Sequence, residues 1–376
     1  MARTIVVVGG GIGGLSAGIA LRTQGFEVTV LERYPDLHSS VFGVGIIQPG
    51  NALRALDAIG CADACIASGF PAAQWGRMLD VDGGHLHDMP GVAIAGSTFP
   101  PLNGITRPRL HEILTARAHE TGVHLHYGAV FTALEESEDG VTAITESGER
   151  FAADLLVGAD GVRSRVRQHV LDADVQPLYI GQSAFRVNIP RLPEIDCIVL
   201  QGSDAGMAGY VPIGPDLAYM FYNAHMGVPE RIPTDQLAPR LREYLAPFGG
   251  LTARVRDEFI TDDVEIVLRP EESMGAPLPW HRGRVVLMGD AVHAITPHLG
   301  QGAAQAIEDG VVLAEALAAH DVLEDAFAEY TARRYERCKL IVDTSLAIGE
   351  WEMGRLPGFD NVAATNHVLD VMAQPL

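Results

Sequence analysis

The chain opens on an apolar, mostly β-branched run, Thr4 to Val8, with no charge in it. Such a run predicts a strand buried on both faces, as in a parallel sheet. A glycine-rich turn follows, Gly9-Gly10-Gly11-Ile12-Gly13-Gly14. Small and apolar residues from Leu15 then predict a helix ended by Gly25, and Val28 to Glu32 predicts a second strand. Tyr34 to Gly50, with Pro35, Gly43, Gly45, Pro49 and Gly50, predicts loop and short extended pieces. Asn51 is the expected N-cap of a helix from Ala52 to Ile59, closed by Gly60. Residues 74–100 read as short strands around an Asp82-Gly83-Gly84 turn. Arg107 to Glu120 predicts a helix with Leu110, Ile113 and Leu114 on one side. Val123 to Val130 and Val141 to Thr145 predict strands, with an acidic turn at Glu135 to Gly140 between them.

Two later stretches repeat the buried strand running into a glycine. Asp154 to Gly158 leads to Ala159-Asp160-Gly161 and a basic segment that predicts a helix, with Arg163, Arg165 and Arg167. Arg284 to Met288 leads to Gly289-Asp290, then a loop with Pro297, Gly300 and Gly302, then an alanine-rich helix opened by Gln301 or Gly302. Between them, from about Gln176 to Leu268, alternating apolar positions with prolines and Gly/Asp turns predict an antiparallel sheet with few helices. A last helix is expected from about Ala326 to Ile348, and a weakly ordered tail after Gly354.

The bulk numbers narrow the function. A chain of 376 residues can bury a large core in two closely joined domains. Its 27 Lys and Arg against 48 Asp and Glu give a formal charge of −21, a surface that repels nucleic acid and anionic membranes. No apolar run is long enough to span a bilayer, and Met1-Ala2-Arg3 leads into the first strand without a signal-peptide layout. Cys61 and Cys65 could share a helix face, but no second pair completes a zinc site; with Cys197 and Cys338 they read as structural thiols of a reducing cytoplasm, and no metal is expected.

The first motif has a physical reading of its own. Gly9, Gly11 and Gly14 form G-x-G-x-x-G between strand and helix, and Glu32 stands 18 residues beyond Gly14 at the end of the next strand. Gly9 permits the turn, Gly11 lets the backbone approach a pyrophosphate, and Gly14 lets helix and strand pack closely. The helix N-terminus offers free N–H groups to the anion, and Glu32 can accept ribose hydroxyls. A dinucleotide is the expected ligand, against a merely flexible glycine loop.

The three dense regions together resemble the single-component, class A flavoprotein monooxygenases, the aromatic hydroxylase group that includes p-hydroxybenzoate, salicylate and 6-hydroxynicotinate hydroxylases. The second region carries D-G-x-x-S-x-x-R as Asp160, Gly161, Ser164 and Arg167. The third carries G-D-A-x-H-x-x-x-P as Gly289, Asp290, Ala291, His293 and Pro297. Arg107, Leu110 and Leu114 match R-x-x-L-x-x-x-L. The resemblance spans about residues 4–345 and implies an α/β fold: a Rossmann-like FAD-binding domain of the GR2 type, an inserted, mainly antiparallel substrate domain and C-terminal helices. The implied division is 1–73, 101–175 and 269–350 for FAD, 74–100 and 176–268 for substrate, and 351–376 as a tail.

By that resemblance FAD is held by Gly9, Gly11, Ile12, Gly13, Gly14, Glu32, Arg33, Arg107, Val130, Asp160, Gly161, Gly289, Asp290, Pro297, Gly300, Gln301, Gly302 and Ala303. Glu32 and the first motif take the ADP half. Arg107 reaches the phosphate and ribityl region, Val130 the adenine end, and Asp290 a ribityl hydroxyl. Residues 297–303 line the isoalloxazine, where the helix N-terminus would face a flavin anion. Pro297 walls the ring without an N–H to satisfy, and it and His293 are the candidate catalytic residues. For His293 and His298, among 14 histidines, a structural role competes with proton transfer. Arg186, Tyr210, Tyr222 and His225 are candidate substrate contacts, each competing with plain sheet packing.

The implied activity is hydroxylation of a small aromatic or heteroaromatic compound with O2 and NADH or NADPH through a flavin C4a-hydroperoxide, in a monomer or homodimer. With one G-x-G-x-x-G only, NAD(P)H has no Rossmann site of its own. An epoxidase, halogenase or reductase of the same fold, or an FAD-binding redox sensor, are the alternatives. Trp75, Trp280 and Trp351 stand alone, so the halogenase W-x-W-x-I-P is absent, as is the reductase Y-x-W-x-F-P.

Overall fold

The three motifs, far apart in sequence, end three adjacent strands of one sheet. The computed structural model describes every residue except 1–2, 37–44, 90, 93, 95, 173 and 204–205. The readings that rest on Met1, Ala2 and Gly43 lie outside the described residues. A six-stranded sheet runs in the order His281–Arg282, Val285–Leu287, Leu155–Gly158, Thr4–Val8, Glu27–Glu32, His124–Tyr127. All its neighbours are parallel except the hairpin of the first two strands. Ile5 to Val8 are at most 3% exposed, so the central strand is buried on both faces, as its unbroken apolar run requires. Ligands of such sheets bind beyond the carboxyl ends of the strands, and here those ends lead directly into the three motifs.

The first helix is Ile12–Thr23 and starts inside the glycine turn, three residues before Leu15. A Cβ on Gly14 would overlap the carbonyl oxygen of Gly9, whose own φ is +109°, so this turn can only be built with glycine at both places. The alanine-rich helix Gly302–Ala319 packs beside it, and the long helix Leu323–Glu352 covers that in turn.

An eight-stranded sheet forms the second layer: His293–Ala294, Ile266–Gly275, Leu178–Pro190, Leu217–His225, Gly206–Pro212, Ile198–Ser203, Gly76–Leu79, His85–Met89. Its inserted region holds two helices, Thr234–Leu245 and Gly250–Phe259, and strand Ile266–Gly275 runs across the expected boundary at 268. Phe185, Val187, Tyr210, Met220 and Tyr222 form a core with those helices. Alternation and register place Arg186, Phe221, Asn223 and His225 on the opposite face. That face is turned toward the nucleotide half, since Asn223 bonds Glu352 at the end of the long helix and Tyr219 meets Gly45.

Two expectations are corrected here. The helix expected from Ala52 spans Gly50–Ala58 with Pro49 as its N-cap residue, and Asn51 lies inside it. Its amide is drawn to Gln301 Oε1 and Glu308 Oε1, both at 3.0 Å, so a tertiary pairing replaces the local cap. The tail is ordered: Asn361–Ala373 is a helix whose Asp360 side chain caps Ala363 N, and Val368, Leu369 and Met372 are buried. Its last carbonyls accept from Arg54 and Arg337, and such basic caps complement a helix C-terminus.

Candidate active site

The site begins at the first motif. A cavity of about 310 Å³ is lined by Gly9 to Ile12, Glu32, Arg33, Arg107, Val130, Asp160 and Gly161, so nine expected positions, with Gly10 beside them, converge on one space. Both Glu32 carboxylate oxygens accept backbone N–H groups, Gly10 N at 2.8 Å and Tyr34 N at 2.9 Å. That fixes the carboxylate at the lip of the cavity with lone pairs left for a hydroxyl donor. Val130 lines the cavity, with its carbonyl already accepting from Glu146 N. Arg33 is exposed, over the Tyr34 ring.

The second motif acts mainly as a staple. Asp160 accepts from Ser164 Oγ, Arg165 N and Val166 N, which fixes the start of the short helix Val166–Val170. Burial raises the Asp160 carboxyl, and these bonds oppose the rise. Arg167 is buried and reaches Ala291 O at 3.0 Å, which ties the second motif to the third. Arg163 pairs with Glu272, and Arg165 holds Phe131 O; both also line the cavity.

In the third region Arg107 and Asp290 are exposed side chains in the interior of the molecule. Each faces open space, yet protein rings it closely enough to lower the Arg107 pKa and raise that of Asp290, with their mutual attraction opposing both shifts. Pro297 is also exposed, and Gly300, Gly302 and Ala303 are half-buried. Helices Ile12–Thr23 and Gly302–Ala319 both start without a side-chain cap or an acid in the first turn. A Cβ on Gly11 or on Gly302 would meet nothing within 4 Å. Free N–H groups and the positive dipole ends of two helices therefore open onto empty space. These features fit FAD: a glycine cradle for pyrophosphate, a carboxylate for ribose, a facing Arg and Asp for the linker, and a second helix end for the ring.

Two expected residues point elsewhere. His293 is 2% exposed and bonds Asp309 Oδ2 at 2.6 Å, an oxygen that also accepts Gly289 N at 2.8 Å. It is a positioning residue for the Gly289-Asp290 turn, and its reading as a catalytic residue is corrected, because the pairing turns the ring into the helix layer. Its ring lies with Asp309 and Cys338, but Arg334 already neutralises Asp309, so this is an ion-pair network rather than a metal centre. The Gln301 amide is likewise engaged, with Asn51 and Gln305, which leaves only its backbone for a cofactor.

Of the substrate candidates, Arg186 and His225 face the cleft side of the sheet. Tyr210 and Tyr222 do not: they are fully buried against the outer helices, and Tyr210 donates to Thr252 Oγ1 at 2.8 Å. Apolar alternation marks two faces without saying which one the helices cover, so that correction was not readable from sequence.

Sequence reasoning passed over His111 and left His298 between a structural role and proton transfer. His111 lines the cavity and bonds Gly10 O at 2.9 Å. The signal was present, since His111 lies four residues after Arg107 on one helix face. His298 Nε2 lies 3.1 Å from Gln182 Oε1, 3.5 Å from Glu352 and 3.6 Å from Glu271. Burial lowers the His298 pKa, but the two carboxylates outweigh it and push it up to about 9.

A folded pKa above the unfolded value means that stability from this group is complete below about pH 6.5 and is lost as pH rises to about 9. The unfolding free energy of the wild type in urea is expected to fall across that window by about 3 kcal/mol, and that of His298→Gln to stay flatter. Equal slopes for the two proteins would refute the assignment. Burial raises the Cys61 and Cys65 thiols to about 12 and about 11, so they stay protonated and inert.

The chain belongs to the FAD binding domain family, whose model matches residues 2–345. It falls among the class A FAD-dependent monooxygenases with aromatic hydroxylase relatives. It is 34% identical over 366 residues to YetM of Bacillus subtilis (strain 168), which carries the name of an FAD-dependent monooxygenase, with 96% of each chain covered. It is 32% identical over 353 residues to 6-hydroxynicotinate 3-monooxygenase of Pseudomonas fluorescens, covering 90% of this chain and 89% of that one. Among solved structures, Klebsiella pneumoniae HpxO complexed with FAD and uric acid shares the fold at a TM-score of 0.87 and 23% identity, over 99% of this chain and 97% of that one. Among the described residues no helix is long and apolar enough to cross a membrane.

Proposed function

We propose that this flavoprotein hydroxylates a small aromatic or heteroaromatic compound, consuming O2 and NADH or NADPH in the cytoplasm. The carrying observation is the pair of uncapped helix starts, at Gly11 and Gly302, that open onto space faced by Arg107 and Asp290. FAD bound there would supply the redox chemistry, in which two electrons from NAD(P)H go with the transfer of one atom of O2 to the substrate and release of the other as water.

The protein's own contributions follow from its residues. Gly9 to Gly14 and Glu32 bind the ADP half. Arg107 and Asp290 orient the linker. The N–H groups of Gly302 and Ala303 favour a negative ring over a neutral one, which helps reduction. Pro297 and the cleft face of the large sheet keep water out, and Arg186 meets substrate from that face.

Oxidation of NADH and of NADPH, followed with a panel of phenols and hydroxylated heteroarenes, tests this reading. At least one ring compound is expected to stimulate oxidation severalfold and to return hydroxylated. No stimulation by any ring would contradict hydroxylase function and favour a binding protein, and a halide-dependent product would favour halogenation.

A further inference from the structure

The cleft face of the large sheet carries a buried polar cluster that the cofactor's own ligands do not use. Glu271 stands where strand Ile266–Gly275 slips register against Leu178–Pro190, between the pairs Tyr179–Glu272 and Ser183–Pro270. Bulges of this kind re-aim a side chain and recur beside active sites. Glu271 is 3% exposed, and neither of its carboxylate oxygens has a hydrogen bond.

Its neighbours do not satisfy it. Protonated His298 pairs with it in charge, but Nε2 lies 3.6 Å from Oε2, beyond hydrogen-bond reach, and the same nitrogen bonds Gln182 Oε1 at 3.1 Å and lies 3.5 Å from Glu352. Burial raises the Glu271 carboxyl, and the charges of His298 and Arg186 oppose the rise through space; among the described residues no ion pair closes between Glu271 and Arg186. On the same face Asn223 Oδ1 and His225 Nε2 are also buried without partners. Buried polar atoms are hydrogen-bonded in the large majority of native structures, and a buried carboxylate without a hydrogen bond is costly. Four such atoms on one face of one cleft mark a place that a ligand completes.

We infer that Glu271 is the substrate anchor: its carboxylate accepts the N–H or O–H of a hydroxylated or oxo nitrogen heterocycle. The inference rests on the hydroxylase reading above. An ionised carboxylate only accepts hydrogen bonds, so the ring end seated here carries a donor. A carboxylate there would instead face Glu271 and Glu352 together. Arg186, a second cation beside the cluster with His298, is left for the ring's own oxygen.

The test uses the FAD-containing protein, titrated with 2-hydroxypyridine and 4-hydroxyquinoline and with their N- and O-methylated forms, and read by the change in flavin absorbance. The wild type is expected to prefer a donor-bearing ring over its methylated form by about ten- to a hundredfold. Glu271→Gln loses that preference while keeping its FAD content and circular dichroism, and Glu271→Asp keeps part of it. A Glu271→Gln protein that still discriminates overturns the inference. So does a wild type that binds none of the rings or does not discriminate. Should the wild type hold no FAD, the hydroxylase reading fails, and the same titrations followed by calorimetry still decide the role of Glu271.

Discussion

Gly11→Glu is expected to fold and to emerge without flavin. Gly11 has φ −73° and ψ −174°, a conformation open to any residue, and a Cβ there meets nothing within 4 Å. The new carboxylate would sit at the start of Ile12–Thr23, where a negative charge is if anything favourable to the helix. Folding is therefore spared. A pyrophosphate at the same place would lose its space and meet a fixed anion where it needs N–H donors. A loss of FAD affinity of at least about a hundredfold follows, as the joint cost of a lost charge-assisted contact and a like-charge contact. The check is the flavin-to-protein ratio after purification, with circular dichroism to confirm folding. Gly14→Ala is the contrasting variant: its Cβ overlaps Gly9 O, so it is expected to lower stability as well as FAD content. Full FAD occupancy in Gly11→Glu would remove the pyrophosphate from this turn.

Arg334→Met is expected to cost about 3–5 kcal/mol of stability, the range for removing one partner of a buried ion pair. Arg334 is 0% exposed and donates to Glu308 Oε2 at 2.6 Å, Asp309 Oδ1 at 2.7 Å and Gln305 Oε1 at 2.6 Å. Its loss leaves Glu308 without its close cation, with Arg54 at 3.5 Å and Arg337 at 3.7 Å, and leaves Asp309 with His293 alone. Burial raises the Asp309 carboxyl, but His293 and Arg334 outweigh it and hold it well below the usual carboxylate range. Its stabilisation is thus present above about pH 4 and is lost only as pH falls through the lowered value. Because Asp309 also accepts Gly289 N, the variant is expected to loosen the Gly289-Asp290 turn and to bind FAD less tightly. Urea unfolding and flavin content check both effects. Lys339→Met, which breaks the exposed pair with Asp343 in the same helix, is the control and should leave the midpoint unmoved. An unchanged midpoint for Arg334→Met would show that the network contributes nothing to the fold.

These two variants mark what local sequence pattern can and cannot carry. The glycine turn, Glu32 and the strand ends before Asp160 and Gly289 were legible because each is a short-range pattern with one physical meaning. Three such patterns on strands that prove adjacent gave the cleft. Asn51 misled because its nearest helix start asked for a cap while Gln301 and Glu308, some 250 residues on, asked for an amide. His293 misled in the same way, through Asp309. The tail helix was missed because its buried face is short, only Val368, Leu369 and Met372, and because its carbonyls are capped by Arg54 and Arg337 from distant helices. Tyr210 and Tyr222 looked as suitable for substrate as Arg186, since period-two alternation does not say which face the covering helices take. Glu271 carried no signal, because only the slipped register and the absence of a hydrogen bond distinguish it from other acids of an acidic chain.

The central claim is that one FAD lies along the cleft from Gly11 to Gly302. Its most direct test is the difference density of crystals of the wild type reconstituted with FAD. The account predicts one cofactor per chain, with its pyrophosphate against the N–H groups that start Ile12–Thr23 and its ring against the start of Gly302–Ala319. A protein that takes up no FAD, or a ring lying away from Gly302, would contradict it.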